Sequence, residues 1–171
     1  ADIITGIFKD KCSEFGLGDP YLFIEPGRYI VCDSTILLTR VNTIKEAYRN
    51  WVGVDAGFNV LIRPAFYGSY HKVFLARDPQ GKPSKVYSIA GPLCESGDIL
   101  AKDRNLPQIE EGDILAVMNG GAYGFSMSST YNSRPRPAEV LLRDGKSEII
   151  RERETFRDLE THQIIPERLK R

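Results

Sequence analysis

The feature that most constrains the fold is a series of short β-forming segments that begins near Val41 and fills most of the chain. The segments read VNTIKEAY, WVGVDAG, KVFLARD, KVYSIAG, DILAVM and AEVLLRDGKSEIIRE, and Gly, Pro, Asp and Asn separate them. Short apolar runs between turn residues are typical of an all-β unit. We therefore predict a mainly β protein, with residues 41–171 forming a β-barrel or β-sandwich domain that includes a closing C-terminal segment.

Two local signals refine this β region. Asp144-Gly145 lies between two apolar runs, which predicts a tight hairpin turn. The string GDILA occurs at 97–101 and again at 112–116. Because the flanking residues do not match, we interpret it as a repeated turn-then-strand pattern and not as an internal repeat.

The first forty residues follow a different pattern. Apolar residues recur at helical spacing from Ile3 to Phe15, which predicts an amphipathic helix that ends near Gly16 and Gly18. The run YLFIEPG then predicts a buried strand, and 30–38 fits either a helix or a strand. A helix followed by a fully buried strand is the unit of a parallel α/β architecture. Residues 1–40 are thus predicted to be the last helix and strand of an α/β barrel, and the chain the C-terminal part of a larger protein.

Composition excludes several classes of function. Lys plus Arg and Asp plus Glu both number 23, so the chain has no net charge and no basic patch typical of nucleic-acid binding. Three separated cysteines favour a reducing, cytoplasmic setting over a disulfide framework, and two isolated histidines give no metal site. There is no signal-peptide pattern and no apolar run long enough to span a bilayer.

Two segments carry candidate charged groups. Glu25-Pro26-Gly27-Arg28 ends the predicted barrel strand, where parallel α/β folds bind ligands, although the tetrapeptide taken alone is better explained as a Pro-Gly turn with a surface ion pair. The segment 54–71 carries Arg63 and Tyr67, which could form a carboxylate clamp. The alternative is an amphipathic β-segment whose aromatic residues pack into the core.

Two further segments carry candidate polar loops. In GPLCESGDIL, Cys94 could donate a proton and Glu95 could bind an amine, but a lone half-buried thiol on a turn is more often structural. In 120–139, two glycines precede Tyr123 and would let the backbone approach a ligand closely. The Arg-Pro-Arg-Pro run that follows is better explained as a rigid entrance to a strand.

Taken in order, these motifs resemble the C-terminal part of the diaminopimelate decarboxylase family, among the alanine-racemase-like (fold type III) pyridoxal-phosphate enzymes. The resemblance rests on EPGR, VDAG, RPAFYGSYH, GPLCESGD and GAYGFSMSSTYNSRPRPAEVL, and it covers about Tyr21 to Leu142. It implies a TIM-type barrel before the β domain. It also implies decarboxylation of meso-2,6-diaminopimelate to L-lysine, with pyridoxal 5'-phosphate as cofactor.

The resemblance also implies a role for each matching residue. Glu25 would face the pyridine nitrogen of the cofactor, while the backbone of Gly27 would contact its phosphate. Arg28 and Tyr123 would bind both this phosphate and the substrate. Arg63 and Tyr67 would hold the distal carboxylate of the substrate. Cys94 would reprotonate the carbon that has lost CO2, and Glu95 would bind the distal ammonium group.

Two consequences concern the whole protein. The family donates the Cys-Glu loop to the neighbouring subunit, so we expect a homodimer with shared active sites. The lysine that carries the cofactor belongs to the N-terminal barrel and has no counterpart here, so this chain alone should be inactive. The alternatives are a sister decarboxylase acting on ornithine, arginine or carboxynorspermidine, and a non-catalytic β module.

Overall fold

The computed structural model describes residues 2–170, and it begins with helix α1, Asp2–Glu14. The helix confirms the predicted amphipathic segment, and it ends as expected near two glycines that adopt left-handed φ angles of 62° at Gly16 and 74° at Gly18. Ile3, Ile4 and Ile7 remain exposed, at 79%, 57% and 58%, whereas Phe8 is half-buried. The helix therefore has an apolar stripe that the rest of the described chain does not cover.

The strand predicted for 21–25 does not form. Residues 20–26 have no regular secondary structure, and Tyr21 and Phe23 are 88% and 86% exposed. A fully buried strand needs neighbouring strands to pair its backbone, and the described residues supply none at this position. After it come a short helix α2, Gly27–Val31, and a 3-10 turn, Cys32–Ser34.

A six-stranded sheet forms the centre of the molecule. Its strands are β1 (Leu37–Glu46), β2 (Asn50–Val54), β3 (Val73–Leu75), β4 (Lys85–Ala90), β5 (Ile99–Leu106) and β6 (Ile114–Val117). The spatial order is β3-β6-β1-β2-β4-β5, and all neighbours are antiparallel except β2 and β4. The outer strands β3 and β5 contact each other, so the sheet curves into a nearly closed barrel. This confirms the prediction of a mainly β chain.

Strand β1 joins the two halves of the barrel. Residues 37–40 pair with β6, residues 41–46 pair with β2, and the register shifts between Val41 and Thr43. A bulge of this kind bends a strand, which lets one strand serve both halves of a curved sheet. The predicted boundary at residue 40 lies within β1, and the division into 1–40 and 41–171 stays a prediction.

The core fills the inside of this barrel. Its fully buried members come from all parts of the sheet and its loops: Val41, Val52, Leu61, Leu75, Tyr87, Ile89, Leu100, Ile109, Leu115 and Val117. Tyr87 is the largest of them, and its hydroxyl accepts a hydrogen bond from the Ile109 N–H at 3.4 Å. Burial of such side chains stabilises the fold by roughly 1.5–3 kcal/mol each before conformational entropy is counted.

The C-terminal part follows the barrel as a separate hairpin. Strands β7 (Glu139–Arg143) and β8 (Lys146–Arg151) meet at Asp144 and Gly145, whose φ angles of 50° and 73° confirm the predicted tight turn. A short helix α3, Arg63–Tyr67, lies between β2 and β3, and the last elements of the chain are helix α4, Phe156–Glu160, and a 3-10 turn, Glu167–Leu169. Among residues 2–170, no helix has the length and apolar character needed to cross a membrane.

Candidate active site

Glu25, Arg28 and Tyr123 line one open cleft with a volume of about 600 Å³. Pro26, Tyr29, Cys32, Asp33 and Asn119 complete its walls. Glu25 and Arg28 are exposed, and 41% of Tyr123 is accessible to solvent. The cleft therefore presents a carboxylate, a guanidinium and a phenol to a small molecule.

The loop 118–124 brings Tyr123 to this cleft. Two of its non-glycine residues adopt left-handed backbone angles, with φ 62° at Asn119 and 58° at Tyr123. Such angles are costly for residues with a side chain and persist only where the surroundings hold them. The holding contacts are hydrogen bonds from the Gly120 N–H to the Thr35 carbonyl (2.8 Å) and from the Gly121 N–H to the Cys32 carbonyl (3.0 Å).

Gly121 determines how closely this loop approaches α2. A Cβ atom at Gly121 would lie 1.9 Å from the Val31 carbonyl oxygen and 2.6 Å from Ser34 Oγ. Only glycine permits that approach. As a result the Tyr123 hydroxyl lies beside Gly27, 3.9 Å from where a Cβ of that residue would stand.

Arg63 links the cleft to helix α3, Arg63–Tyr67. Its guanidinium carbon lies 5.1 Å from the ring centroid of Tyr67 and 5.0 Å from that of Tyr123. Its Nη2 atom donates a hydrogen bond to Ser69 Oγ at 3.1 Å. These contacts hold the guanidinium next to the cleft, and its planar fork is suited to a carboxylate. The contact between Arg63 and Tyr123 also brings the 54–71 segment next to the 120–139 segment.

Gly27 departs from its predicted role in one respect. Its N–H donates to the Glu25 carbonyl at 2.9 Å, within a tight turn. A phosphate would have to compete with that carbonyl for the N–H. The phosphate contact through Gly27 remains a prediction.

Tyr70 and His71, at the end of the 54–71 segment, differ in burial, since Tyr70 is 66% exposed whereas His71 is buried. The Tyr70 ring packs 3.9 Å from the Arg104 guanidinium carbon, and His71 is 3% exposed, with Nδ1 2.8 Å from the Met118 carbonyl oxygen. Within 2–170, no group of three or more His, Cys, Asp or Glu side chains could hold a metal ion.

Cys94 and Glu95 lie on the turn between β4 and β5, and both are exposed. The turn is closed by hydrogen bonds from the Glu95 N–H to the Leu93 carbonyl (2.8 Å) and from the Asp98 N–H to the Glu95 carbonyl (3.0 Å). Neither side chain is among those that line the cleft of Glu25 and Tyr123. The chain therefore brings together five predicted site residues, namely Glu25, Arg28, Arg63, Tyr67 and Tyr123, places Gly27 beside Tyr123, and carries Cys94 and Glu95 on a separate turn.

Sequence reasoning missed two residues that shape these sites. Asn119 lines the cleft and starts the strained loop, and the Asn-Gly-Gly sequence could have indicated it. Asp98 is 3% exposed and accepts hydrogen bonds from the backbone N–H groups of Phe58 (2.7 Å) and Leu93 (2.8 Å). Burial raises the pKa of the Asp98 carboxyl, although these two N–H groups act in the opposite direction.

Comparison with known protein families identifies the class of protein to which the chain belongs. Residues 28–121, more than half of the chain, match the model of the family described as the pyridoxal-dependent decarboxylase, C-terminal sheet domain. The chain belongs to this family. Its nearly closed sheet is the domain that the family description names.

The individual relatives show which decarboxylases of this class the chain is similar to. The chain is 64% identical over 169 residues to the diaminopimelate decarboxylase of Methanothermobacter thermautotrophicus, covering 99% of this chain and 40% of that protein. It is 57% identical to the diaminopimelate decarboxylase of Archaeoglobus fulgidus, covering 87% and 36%. The crystal structure of the Methanocaldococcus jannaschii diaminopimelate decarboxylase in complex with L-lysine superimposes with a TM-score of 0.80 at 44% identity, and the match covers 89% of this chain and 35% of that one. The chain thus spans about two fifths or less of the length of these relatives.

Proposed function

We propose that the whole protein is a pyridoxal-phosphate-dependent decarboxylase that converts meso-2,6-diaminopimelate to L-lysine and CO2. The observation that carries the proposal is that the Arg63 guanidinium, a group suited to a carboxylate, contacts both Tyr67 and Tyr123 at the edge of the cleft that contains Glu25 and Arg28. A decarboxylase of a simple diamino monoacid has no distal carboxylate to bind. Both relatives reported above carry the name diaminopimelate decarboxylase, which supports the same substrate.

The residues of the cleft fit the cofactor. Arg28 and the Tyr123 hydroxyl offer hydrogen-bond donors to a phosphate, and the exposed carboxylate of Glu25 suits a protonated ring nitrogen. Because Gly27 and Gly121 have no Cβ, the loop that carries Tyr123 can approach the backbone of the cleft closely. When bound, pyridoxal phosphate supplies an electron sink that weakens the bond between the α-carbon and its carboxylate.

In this mechanism Glu25 would keep a proton on the ring nitrogen of the cofactor, and Arg28 with Tyr123 would bind both its phosphate and the substrate. Arg63 and Tyr67 would bind the distal carboxylate, while Glu95 would bind the distal ammonium group. The Cys94 thiol would give its proton to the carbon that has lost CO2 and take one back from solvent afterwards.

The Cys94–Glu95 turn supports a homodimer with shared sites. Both side chains point from an exposed turn, and neither lines the cleft that contains Tyr123. We propose that each subunit offers this turn to the cleft of its partner, in the cytoplasm, where three free cysteines stay reduced.

A substrate panel tests the proposed function. The whole protein with pyridoxal phosphate is incubated with meso-diaminopimelate, ornithine, arginine and carboxynorspermidine, and CO2 release and amine products are measured. We expect lysine from the first substrate and no comparable turnover of the others. Faster turnover of another substrate would identify a sister decarboxylase, and turnover of none would identify a non-catalytic β module.

A further inference from the structure

We propose that Asp98 is a positioning residue for the Cys94–Glu95 turn, because its buried carboxylate fastens this turn to the loop that follows β2. The inference rests on the proposed function, which gives Cys94 the role of proton donor and Glu95 that of ammonium ligand. Asp98 would support the reaction through this turn without contacting the substrate itself.

The hydrogen bonds of Asp98 join two loops that are far apart in sequence. Oδ1 accepts the Phe58 N–H at 2.7 Å, and Oδ2 accepts the Leu93 N–H at 2.8 Å. Phe58 lies in the loop after β2, and Leu93 directly precedes Cys94. Each carboxylate oxygen therefore holds one loop, and removing either bond would leave a backbone N–H without its acceptor in a region that excludes water.

Two glycines make room for this connection. A Cβ at Gly57 would lie 2.8 Å and 2.9 Å from the two carboxylate oxygens of Asp98. A Cβ at Gly91 would lie 2.3 Å from Asp98 Oδ2 and 2.5 Å from the Gly57 Cα. The backbones of the two loops thus meet around the carboxylate, which occupies the space that side chains at these two positions would need.

The turn itself transmits this anchoring to Cys94. The Leu93 carbonyl accepts the Glu95 N–H, and the Asp98 N–H donates to the Glu95 carbonyl. The Gly97 N–H in turn donates to Glu95 Oε1 at 3.2 Å. Cys94 is therefore exposed between Leu93, which Asp98 holds, and Glu95, which the turn holds. The position of the Cys94 thiol is therefore set by the hydrogen-bonded backbone of Leu93 and Glu95.

The second GDILA string provides a matched control. Asp113 occupies the same place in the string as Asp98, and its Oδ2 also accepts a backbone N–H, that of Glu110, at 2.8 Å. Its other partner is the Arg77 guanidinium, 2.7 Å from Oδ1. Asp113 therefore performs a similar closing function at a turn that carries no candidate site residue.

The test uses Asp98→Asn in the whole protein. Asparagine has the same shape but one acceptor oxygen, so its amide NH2 must face one of the two backbone N–H groups. An unsatisfied buried donor would disturb the anchoring of the turn, and we expect kcat to fall by about tenfold or more. The absorbance spectrum of the bound cofactor should be unchanged, and Asp113→Asn should leave kcat within about twofold.

A double-mutant cycle separates positioning from general damage. If Asp98 acts through Cys94, Asp98→Asn should lower kcat by less than about twofold when added to Cys94→Ala. Equal losses in the two backgrounds would overturn the proposal. Should Asp98→Asn fail to fold, Gly57→Ala is used in the same cycle, since it displaces the carboxylate without removing it.

A readout that needs no turnover distinguishes failure of this inference from failure of the proposed function. The rate at which iodoacetamide alkylates Cys94 is followed by mass spectrometry of its peptide. Asp98→Asn should change this rate at least severalfold, and Asp113→Asn should not. An unchanged rate in a folded Asp98→Asn protein would overturn the positioning role even if the substrate panel showed no decarboxylation.

Discussion

At the scale of single residues, Arg63 shows how contacts with its neighbours hold a side chain at the edge of the cleft. It stands at the start of α3, between the Tyr67 and Tyr123 rings, and it donates to Ser69 Oγ. A guanidinium can stack its plane on a ring and bind a carboxylate with two parallel hydrogen bonds, whereas an ammonium is a point charge without this planar fork. The geometry therefore favours arginine over lysine at this position.

Substitution of Arg63 by lysine should weaken substrate binding. Loss of the stacking contacts and of bidentate binding costs about 1.5–3 kcal/mol, so KM for diaminopimelate should rise by about tenfold to a hundredfold. Steady-state kinetics of the whole protein measures this. Arg49→Lys is the control, because Arg49 also lies over an aromatic ring, at 5.9 Å from the Trp51 centroid, but outside the cleft. Equal KM values for Arg63→Lys and the unsubstituted protein would contradict the clamp.

At the scale of elements, two contacts hold the parts of the chain that surround the barrel. One is the approach of the 118–124 loop to the turn after α2, and the other is the ion pair of Arg136 with Glu154. The first shapes the cleft, whereas the second fixes the two ends of the β7–β8 hairpin to each other. Both depend on residues that are distant in sequence.

Gly121→Ala should disrupt the cleft. The added Cβ would meet the Val31 carbonyl oxygen at 1.9 Å, so the loop must move and carry Tyr123 away from Gly27. We expect the affinity for pyridoxal phosphate to fall by about tenfold or more, measured by titration of the cofactor absorbance. The neighbouring Gly120→Ala is the control, because its nearest contact would be an ordinary 3.5 Å to the Thr35 carbonyl oxygen. Similar affinities in the two variants would rule out this role of Gly121.

The Arg136–Glu154 pair should make stability depend on pH. Arg136 Nε donates to Glu154 Oε1 at 2.7 Å, and the hydrogen bonds from Arg136 lower the pKa of Glu154. A lowered pKa in the folded state gives stability that is present above the unfolded value, near 4.3, and is lost as pH falls through the folded value. The contribution is about 0.5–1 kcal/mol, because the pair is partly exposed and screened.

Thermal unfolding of Glu154→Gln across pH checks this expectation. The variant should have a lower Tm than the unsubstituted protein at neutral pH, and the difference should shrink as the pH falls below the unfolded pKa, near 4.3, and through the lower pKa of the folded state. Glu148→Gln removes a charge from the same hairpin outside this pair and serves as control. A Tm difference that stays constant with pH would show that the pair does not act through ionisation of Glu154.

At the scale of the whole molecule, the cleft and the Cys94–Glu95 turn are separate surfaces. One contains Glu25 and Tyr123, and the other contains the proposed proton donor. Exposed apolar side chains lie outside the barrel, on α1, on 21–31 and on the β7–β8 hairpin. Such surfaces are typical of regions that other parts of a protein or a second subunit cover.

Mixing two inactive variants of the whole protein tests whether the turn serves a neighbouring subunit. One variant is Cys94→Ala and the other is Glu25→Ala. In a mixed dimer, one site combines the intact Glu25 of one subunit with the intact Cys94 of the other. Random exchange of subunits should restore about a quarter of full activity, measured as lysine formation. Recovery of none would indicate that Cys94 serves the cleft of its own chain.

Much of the fold could be predicted from local pattern. The helix at Asp2–Glu14, the Asp144-Gly145 hairpin and the β-rich region from about residue 41 follow from helical spacing, turn chemistry and short apolar runs. The 21–25 segment was predicted wrongly because a buried strand depends on neighbours that its own residues do not reveal. The meeting of Arg63 with Tyr123 likewise joins residues sixty positions apart, which no local rule specifies.

The sequence by itself determined the class of the fold and the chemical groups available for the site. Motifs such as EPGR, RPAFY and CES specify residue types, because phosphate, carboxylate and proton transfer each require particular side chains. Only the tertiary structure decided which of these groups share a cleft and which lie on a separate turn. It also revealed Asp98, since the burial of a carboxylate between two loops depends on packing between distant segments and leaves no local signal.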